Sequence, residues 1–191
     1  MHFLFVAERT SRLRTAGKRC IITAIFRERC MAEAKKKVYV ETSVVSYLTA
    51  KPSHDLIKNA RQLATQDWWQ VAPNDLDLFI SPLVEREASK GDVEAASKRI
   101  SALEGVVRIP VTEEMLSLAE RLLDATAVPR TSFDDAVHIA VAAVSGMDFL
   151  VSWNCKHIAN PVTKPLIRKT LEKLGFNYPE ICTPLDMKGD D

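Results

Sequence analysis

The chain has 191 residues, 47% hydrophobic and 27% charged, with a formal net charge of +1. A chain of this length is expected to form one domain with a core that needs no covalent staples, and its six glycines and nine prolines exclude a collagen-like or low-complexity chain. No apolar run approaches the roughly 20 residues that span a bilayer. Four cysteines, Cys20, Cys30, Cys155 and Cys182, lie far apart with no C-x-x-C pair, which argues against a zinc knuckle or disulfide scaffold and fits a reducing cytosol.

The net charge hides a split. Residues 1 to 37 hold ten basic and three acidic residues, a net of +7, while the remaining 154 hold sixteen basic and twenty-two acidic, a net of −6. Such asymmetry suggests an RNA-binding or targeting arm at the N-terminus. A signal peptide fits poorly, because the apolar MHFLFVA precedes the basic stretch. The lack of periodicity favours a plainer expectation: residues 1–36 form a basic tail outside the folded unit, with Met31 an ordinary start. The domain is expected over 37–186, followed by a short C-terminal tail over 187–191.

Regular patterning begins at Lys37. VYVE (38–41) is read as a strand, followed by a helix over TSVVSYL with Thr42 or Ser43 as its cap. HDLIKNARQLATQDWWQ is expected to be helical, with Leu56, Ala60, Leu63, Ala64 and Trp68 on one inward face. One of Trp68 and Trp69 is expected in the core. LDLFIS (76–81) is the second strand, and Ser81-Pro82 starts a short helix. Asp92 caps the next helix, VVRI (106–109) is a third strand, and Thr112 starts a helix to about Ala125. Ser132 opens the strongly apolar helix DDAVHIAVAAVSG, which ends at Gly146. DFLVS (148–152) is the fourth strand, Thr163 to Leu174 a helix, and EICTP (180–184) a last strand. Strands alternating with helices imply a central, mostly parallel sheet covered on both faces, a three-layer α/β/α fold. Ligands in such folds bind beyond the carboxyl ends of the strands.

Four candidate site residues stand at comparable positions: Glu41 at the end of the first strand, Glu87 in the helix after the second, Asp135 in the first turn of the apolar helix, and Asn154 past the fourth strand. Carboxylates and an amide suit Mg²⁺ or Mn²⁺, which take oxygen ligands. Close carboxylates repel unless a cation neutralises them. Each residue also has a plain structural reading. Glu41 fits a helix-dipole partner, Asp135 a capping box with Ser132, Glu87 a solvated helix face, and Asn154 a turn residue. Sequence spacing by itself proves no contact among them.

YVETSVVSYL, ISPLVEREASKGD, DDAVHIAVAAVSGMDFLVSWN and KHIANP resemble the PIN-domain ribonucleases, specifically VapC-like toxins, over roughly residues 37 to 186. That resemblance implies a PIN-like domain and a metal-dependent endoribonuclease that hydrolyses RNA phosphodiester bonds, the toxin of a toxin–antitoxin pair. It assigns Glu41, Glu87, Asp135 and Asn154 as catalytic residues and metal ligands for Mg²⁺ or Mn²⁺, supported by Thr42, Ser43 and Ser152. His138, Lys156 and His157 are candidate RNA contacts, although the usual burial of histidine favours reading His138 as partly buried and hydrogen-bonded. The implied partners are an RNA substrate, a cognate antitoxin and a second copy in a homodimer, in the cytoplasm and without a membrane. The sequence departs from the family pattern at Glu41, where aspartate is usual, and at Asn154, where many members have aspartate. Those departures motivate the alternative of a catalytically silent PIN-like module that binds RNA or protein. A phosphoacceptor receiver or D-x-D phosphatase is disfavoured, because the first strand ends in Glu-Thr-Ser.

Overall fold

A computed structural model describes residues 34–187. The basic tail, with Cys20 and Cys30, lies outside the described residues except for its last three positions, as do the final four residues. Five strands form one sheet: β1 (Lys36–Val40), β2 (Leu76–Ile80), β3 (Val107–Arg108), β4 (Phe149–Val151) and β5 (Glu180–Cys182). Their order is β3-β2-β1-β4-β5, and every pairing is parallel. Seven helices lie among the described residues: α1 (Thr42–Thr49), α2 (Leu56–Asp75), α3 (Pro82–Ala88), α4 (Val93–Ala102), α5 (Glu113–Asp124), α6 (Phe133–Val144) and α7 (Lys164–Lys173).

The β-branched and aromatic residues Val38, Tyr39 and Val40 are fully buried and make β1 the central strand, while Lys36 and Lys37 at its start are exposed. From β1 the chain works outward to β2 and β3, then returns across the sheet to β4 on the other side of β1. Parallel crossovers are right-handed, so reversing direction moves the covering helices to the opposite face. The helix contacts follow that division: α1 packs on α2, α3 and α4, while α5 packs on α6 and α7. This gives an α/β/α sandwich whose connections diverge between β1 and β4. A crevice opens there at the carboxyl ends of the strands.

Three local expectations are corrected. The cap of α1 is Glu41, which lies just beyond the strand and accepts from the Ser43 N–H, and neither Thr42 nor Ser43 takes that role. The buried face of α2 comprises Gln62, Ala64, Thr65, Trp68 and Ala72, while Leu56, Ala60 and Leu63 face outward. Polar partners select that rotation. Gln62 accepts from the Ser53 N–H at 2.9 Å and donates to Lys51 O at 2.8 Å, and Thr65 Oγ1 accepts from the Trp153 indole at 2.7 Å. The third strand is reduced to two exposed residues at the sheet edge, where one face has no partner to bury it. Trp68 is core, and Trp69 is partly buried against its edge.

Candidate active site

The crevice is lined by the residues that follow β1, β2 and β4 and by the first turns of α6. Glu41 is 6% exposed. Its Oε1 accepts from the Ser43 N–H at 3.0 Å, and its Oε2 accepts from Ser152 Oγ at 2.6 Å and from the Ser43 hydroxyl. Ser152 is fully buried at the end of β4, so Glu41 ties the two central strands together. The Ser43 and Ser152 hydroxyls also accept the backbone N–H groups of Trp153 and Asn154, at 2.8 and 2.9 Å. These donors supply what a buried carboxylate needs in place of water.

Glu87 reaches the same crevice from α3. Its Oε2 accepts from Thr42 Oγ1 at 2.5 Å and from His138 Nε2 at 3.0 Å. Both bonds fall on one oxygen, which leaves Oε1 without a protein donor among the described residues. His138 is 1% exposed, and its Nδ1 meets the Tyr39 hydroxyl at 2.9 Å, which in turn meets Ser81 Oγ at 2.7 Å. A carboxylate can only accept, so Nε2 carries the proton of that bond. The chain Ser81–Tyr39–His138–Glu87 therefore runs from the core to the crevice. Ser81 spends its hydroxyl there and makes no side-chain cap on α3.

Electrostatics follow the geometry. Burial by itself would raise the Glu87 carboxyl, but the bond from His138, its charge and the Thr42 hydroxyl together hold it below the ordinary value. Burial opposes charge on His138 as well, yet the Glu87 bond and the carboxylates of Glu41, Glu87 and Asp135 raise it. A lowered carboxyl contributes stability that is present above its ordinary 4.5 and is lost as pH falls through the folded value. A raised imidazole contributes stability that is present below its ordinary 6.5 and is lost as pH rises through the folded value. Both contributions are complete between those two values. In EDTA, the thermal midpoint of the wild type relative to Glu87→Gln should be highest in that window and decline on either side. A pH-independent difference would show that the pair is not linked to folding.

Asp135 forms a second group. Its Oδ1 accepts from Asn154 Nδ2 at 2.9 Å and its Oδ2 from His157 Nδ1 at 2.7 Å. Asn154 Oδ1 accepts the His157 N–H at 3.1 Å, which fixes the orientation of the amide: it turns nitrogen, not oxygen, toward Asp135. Ser132 Oγ lies 2.9 Å from His157 Nδ1 and makes no cap bond to α6, so Ser132 and Asp135 form no capping box. The neighbouring acids are committed elsewhere. Asp134 pairs with Arg86 at 2.9 Å and Glu85 with Arg108 at 2.7 Å, leaving Glu87 and Asp135 to face the crevice.

Among the described residues, the three groups whose ligand atoms lie within 4.8 Å of one another are Glu41, Glu87 and His138. Asp135 is not in that set. A cation fits the donor chemistry, since two carboxylates face each other and Glu87 Oε1 carries no protein hydrogen bond. His138 is corrected from a candidate RNA contact: it lies beneath the site with both ring nitrogens engaged. Its place in DAVHIA, three residues after Asp135 and so on the same helix face, is the signal that could have pointed there. Tyr39 and Ser81 gave no sequence signal beyond strand and cap. Lys156 is exposed, while His157 is about one-fifth exposed and holds Asp135.

Solved structures share this architecture. VapC20 of Mycobacterium tuberculosis, described as a Sarcin-Ricin loop cleaving toxin, matches with a TM-score of 0.52 and 21% identity, over 65% of this chain and 95% of its own. VapBC2 from Rickettsia felis, bound to a DNA fragment from its promoter, matches with a TM-score of 0.48 and 14% identity, over 65% and 93%. No family model and no curated protein matches the sequence. No helix among the described residues is long and apolar enough to cross a membrane. The all-parallel sheet with its order β3-β2-β1-β4-β5, its two helical layers and its agreement with nearly the whole of VapC20 lead to one conclusion: this chain has a VapC-like PIN-domain fold.

Proposed function

We propose that the protein is a metal-dependent endoribonuclease, the toxin of a toxin–antitoxin pair, with Mg²⁺ or Mn²⁺ at the carboxylate crevice. The observation that carries this reading is the convergence of Glu41 and Glu87, with Asp135 alongside, at the carboxyl edge of a fold shared with an RNA-cleaving toxin. A divalent ion there would supply Lewis acidity to a phosphoryl oxygen and ease deprotonation of a water.

The chain's own residues do the positioning. Thr42 and His138 hold one oxygen of Glu87 and turn the other outward. Ser43 and Ser152 set the Glu41 carboxylate between β1 and β4. Asn154 and His157 grip both oxygens of Asp135. In this reading Glu41, Glu87 and Asp135 bind the ion, Asn154 orients Asp135, and Lys156 and His157 meet the RNA backbone at the rim. The partners are the RNA substrate, a cognate antitoxin and a second copy of the chain, in the cytoplasm. The domain is taken as residues 37–186, with the basic tail outside it.

A labelled RNA should be cut in Mn²⁺ and left intact in EDTA, and Asp135→Ala should abolish cutting. Expression should arrest growth, and the neighbouring reading frame should relieve the arrest. Equal cutting in Mn²⁺ and EDTA would overturn the reading. One observation favours a second reading. Glu41 already takes three hydrogen bonds and Asn154 shows Asp135 its nitrogen, as in a silent module that binds RNA or protein. Calorimetry separates the two, because a silent module takes up no Mn²⁺ at millimolar concentration.

A further inference from the structure

We propose that the outer flank of α7 is a track for the phosphate backbone of single-stranded RNA leaving the carboxylate crevice. This rests on the nuclease reading and deepens it, since the fold and the acids do not say which way the strand runs. The helix is KPLIRKTLEK, with four basic residues and one acidic, on a body whose net charge beyond residue 37 is −6. A groove of about 400 Å³ runs along it from Pro161 past Lys164, Arg168 and Lys169 to Tyr178. A second hollow of about 380 Å³ on its other side is bounded by Arg121, Lys169 and Lys173. Lys169 stands between the two.

The head of α7 is tied to the site. Thr163 at the head of α7 donates to His157 O at 2.8 Å, and the His157 ring holds Asp135. The helix connects the parallel strands β4 and β5, so it runs back from the carboxyl edge of the sheet to the opposite edge. Lys164 is therefore near the crevice and Lys173 far from it. With a rise of about 1.5 Å per residue and about 3.6 residues per turn, Lys164 and Arg168 share one face about 6 Å apart, whereas Lys173 lies on the opposite face beside the second hollow. A strand that leaves the crevice along the groove thus meets Lys164, Arg168 and Lys169, and reaches Lys173 by crossing the helix at Lys169.

The cations differ in how they are held. Arg168 stacks over the Tyr178 ring at 4.3 Å and donates to Glu180 at 2.8 Å, so its guanidinium is fixed in direction. Among the described residues Lys164, Lys169 and Lys173 form no ion pair, although Glu172 lines the same groove and Asp124 the second hollow. Unpaired lysines on an otherwise acidic body favour a polyanion, and a flexible single strand can follow a helix flank with no base-specific contacts.

The test compares the full-length wild type with the triple variant Lys164→Gln, Lys169→Gln, Lys173→Gln in Mn²⁺. The substrates are a long single-stranded RNA and a short one that spans only the crevice. The variant should raise KM for the long RNA by about 10-fold or more and flatten its log–log salt dependence by about 0.7 per lost contact. Its kcat, its KM for the short RNA and its thermal midpoint should be unchanged. Equal KM values and salt slopes for the long RNA overturn the proposal. So does a variant that keeps its KM for the long RNA but loses affinity for a polyglutamate peptide, which assigns the flank to an acidic protein. A wild type that cuts neither RNA fails the nuclease reading, and this proposal falls with it.

Discussion

RNA cleavage should fall by at least about 100-fold when Glu87 is replaced by glutamine. Loss of one cation ligand removes several kcal/mol of charge stabilisation, and each 1.36 kcal/mol is about a factor of ten in rate. Glutamine keeps the shape of the side chain, and its amide oxygen still accepts from Thr42 Oγ1 and His138 Nε2. The position freed at Oε1 then becomes an N–H₂ group that cannot hold a cation. The substitution thus removes the ligand's charge while keeping its packing and hydrogen bonds. Single-turnover cleavage should collapse, and calorimetry should show weaker Mn²⁺ binding. An unchanged cleavage rate would remove Glu87 from the active site.

His138→Ala should affect both folding and metal affinity. The imidazole is fully enclosed between Tyr39 and Glu87. Alanine leaves a cavity, a buried tyrosine hydroxyl whose remaining partner is Ser81, and one fewer donor on Glu87. Such losses together cost about 2–4 kcal/mol, or roughly 5–15 °C in thermal midpoint for a domain of this size. A residue that orients a metal ligand typically changes affinity by about 10- to 100-fold, so Mn²⁺ binding should weaken by that factor. His138→Gln supplies an N–H on a similar reach. It should recover part of the Mn²⁺ affinity even where stability is not restored, a separation that a purely packing role would not produce. Equal Mn²⁺ affinity in the wild type and both variants would reduce His138 to a core residue.

The two substitutions probe different depths of one network, and the depths differ in how well the sequence reveals them. Glu41, Asp135 and Asn154 are visible because each follows a strand or opens a helix, and Glu87 because it lies in the short helix that follows the second strand, positions that hydrophobic runs and caps mark locally. The elements themselves are legible for the same reason: the last three residues of β1, Val38, Tyr39 and Val40, and the run of α6 from Ala136 to Ala143, polar only at His138, are apolar and buried, as central elements covered on both sides must be. The rotation of α2 is not legible. Its leucines outweigh Gln62 and Thr65 in any periodicity, whereas the fold buries those two because Lys51, Ser53 and Trp153 offer them partners. The edge strand also shortens where pairing on one side ends.

The sequence by itself determined the order of the elements, the acidic residues at their ends and the contrast between a basic N-terminal stretch and an acidic remainder. Those properties depend on neighbours along the chain: caps, turns, apolar alternation and charge. Tertiary structure alone decided which acids share a cation-sized space and which are spent on arginines. Glu85 and Asp134 sit two and one positions from Glu87 and Asp135, yet they pair with Arg108 and Arg86. It also decided that His138 lies under Glu87 and that Asn154 turns its nitrogen to Asp135. The physical reason is that a buried carboxylate must find donors in place of water. Apart from Ser43, which donates to Glu41 from two residues away, the donors to Glu41 and Glu87 come from positions 45 to 111 residues distant, separations that no local pattern in a sequence can span.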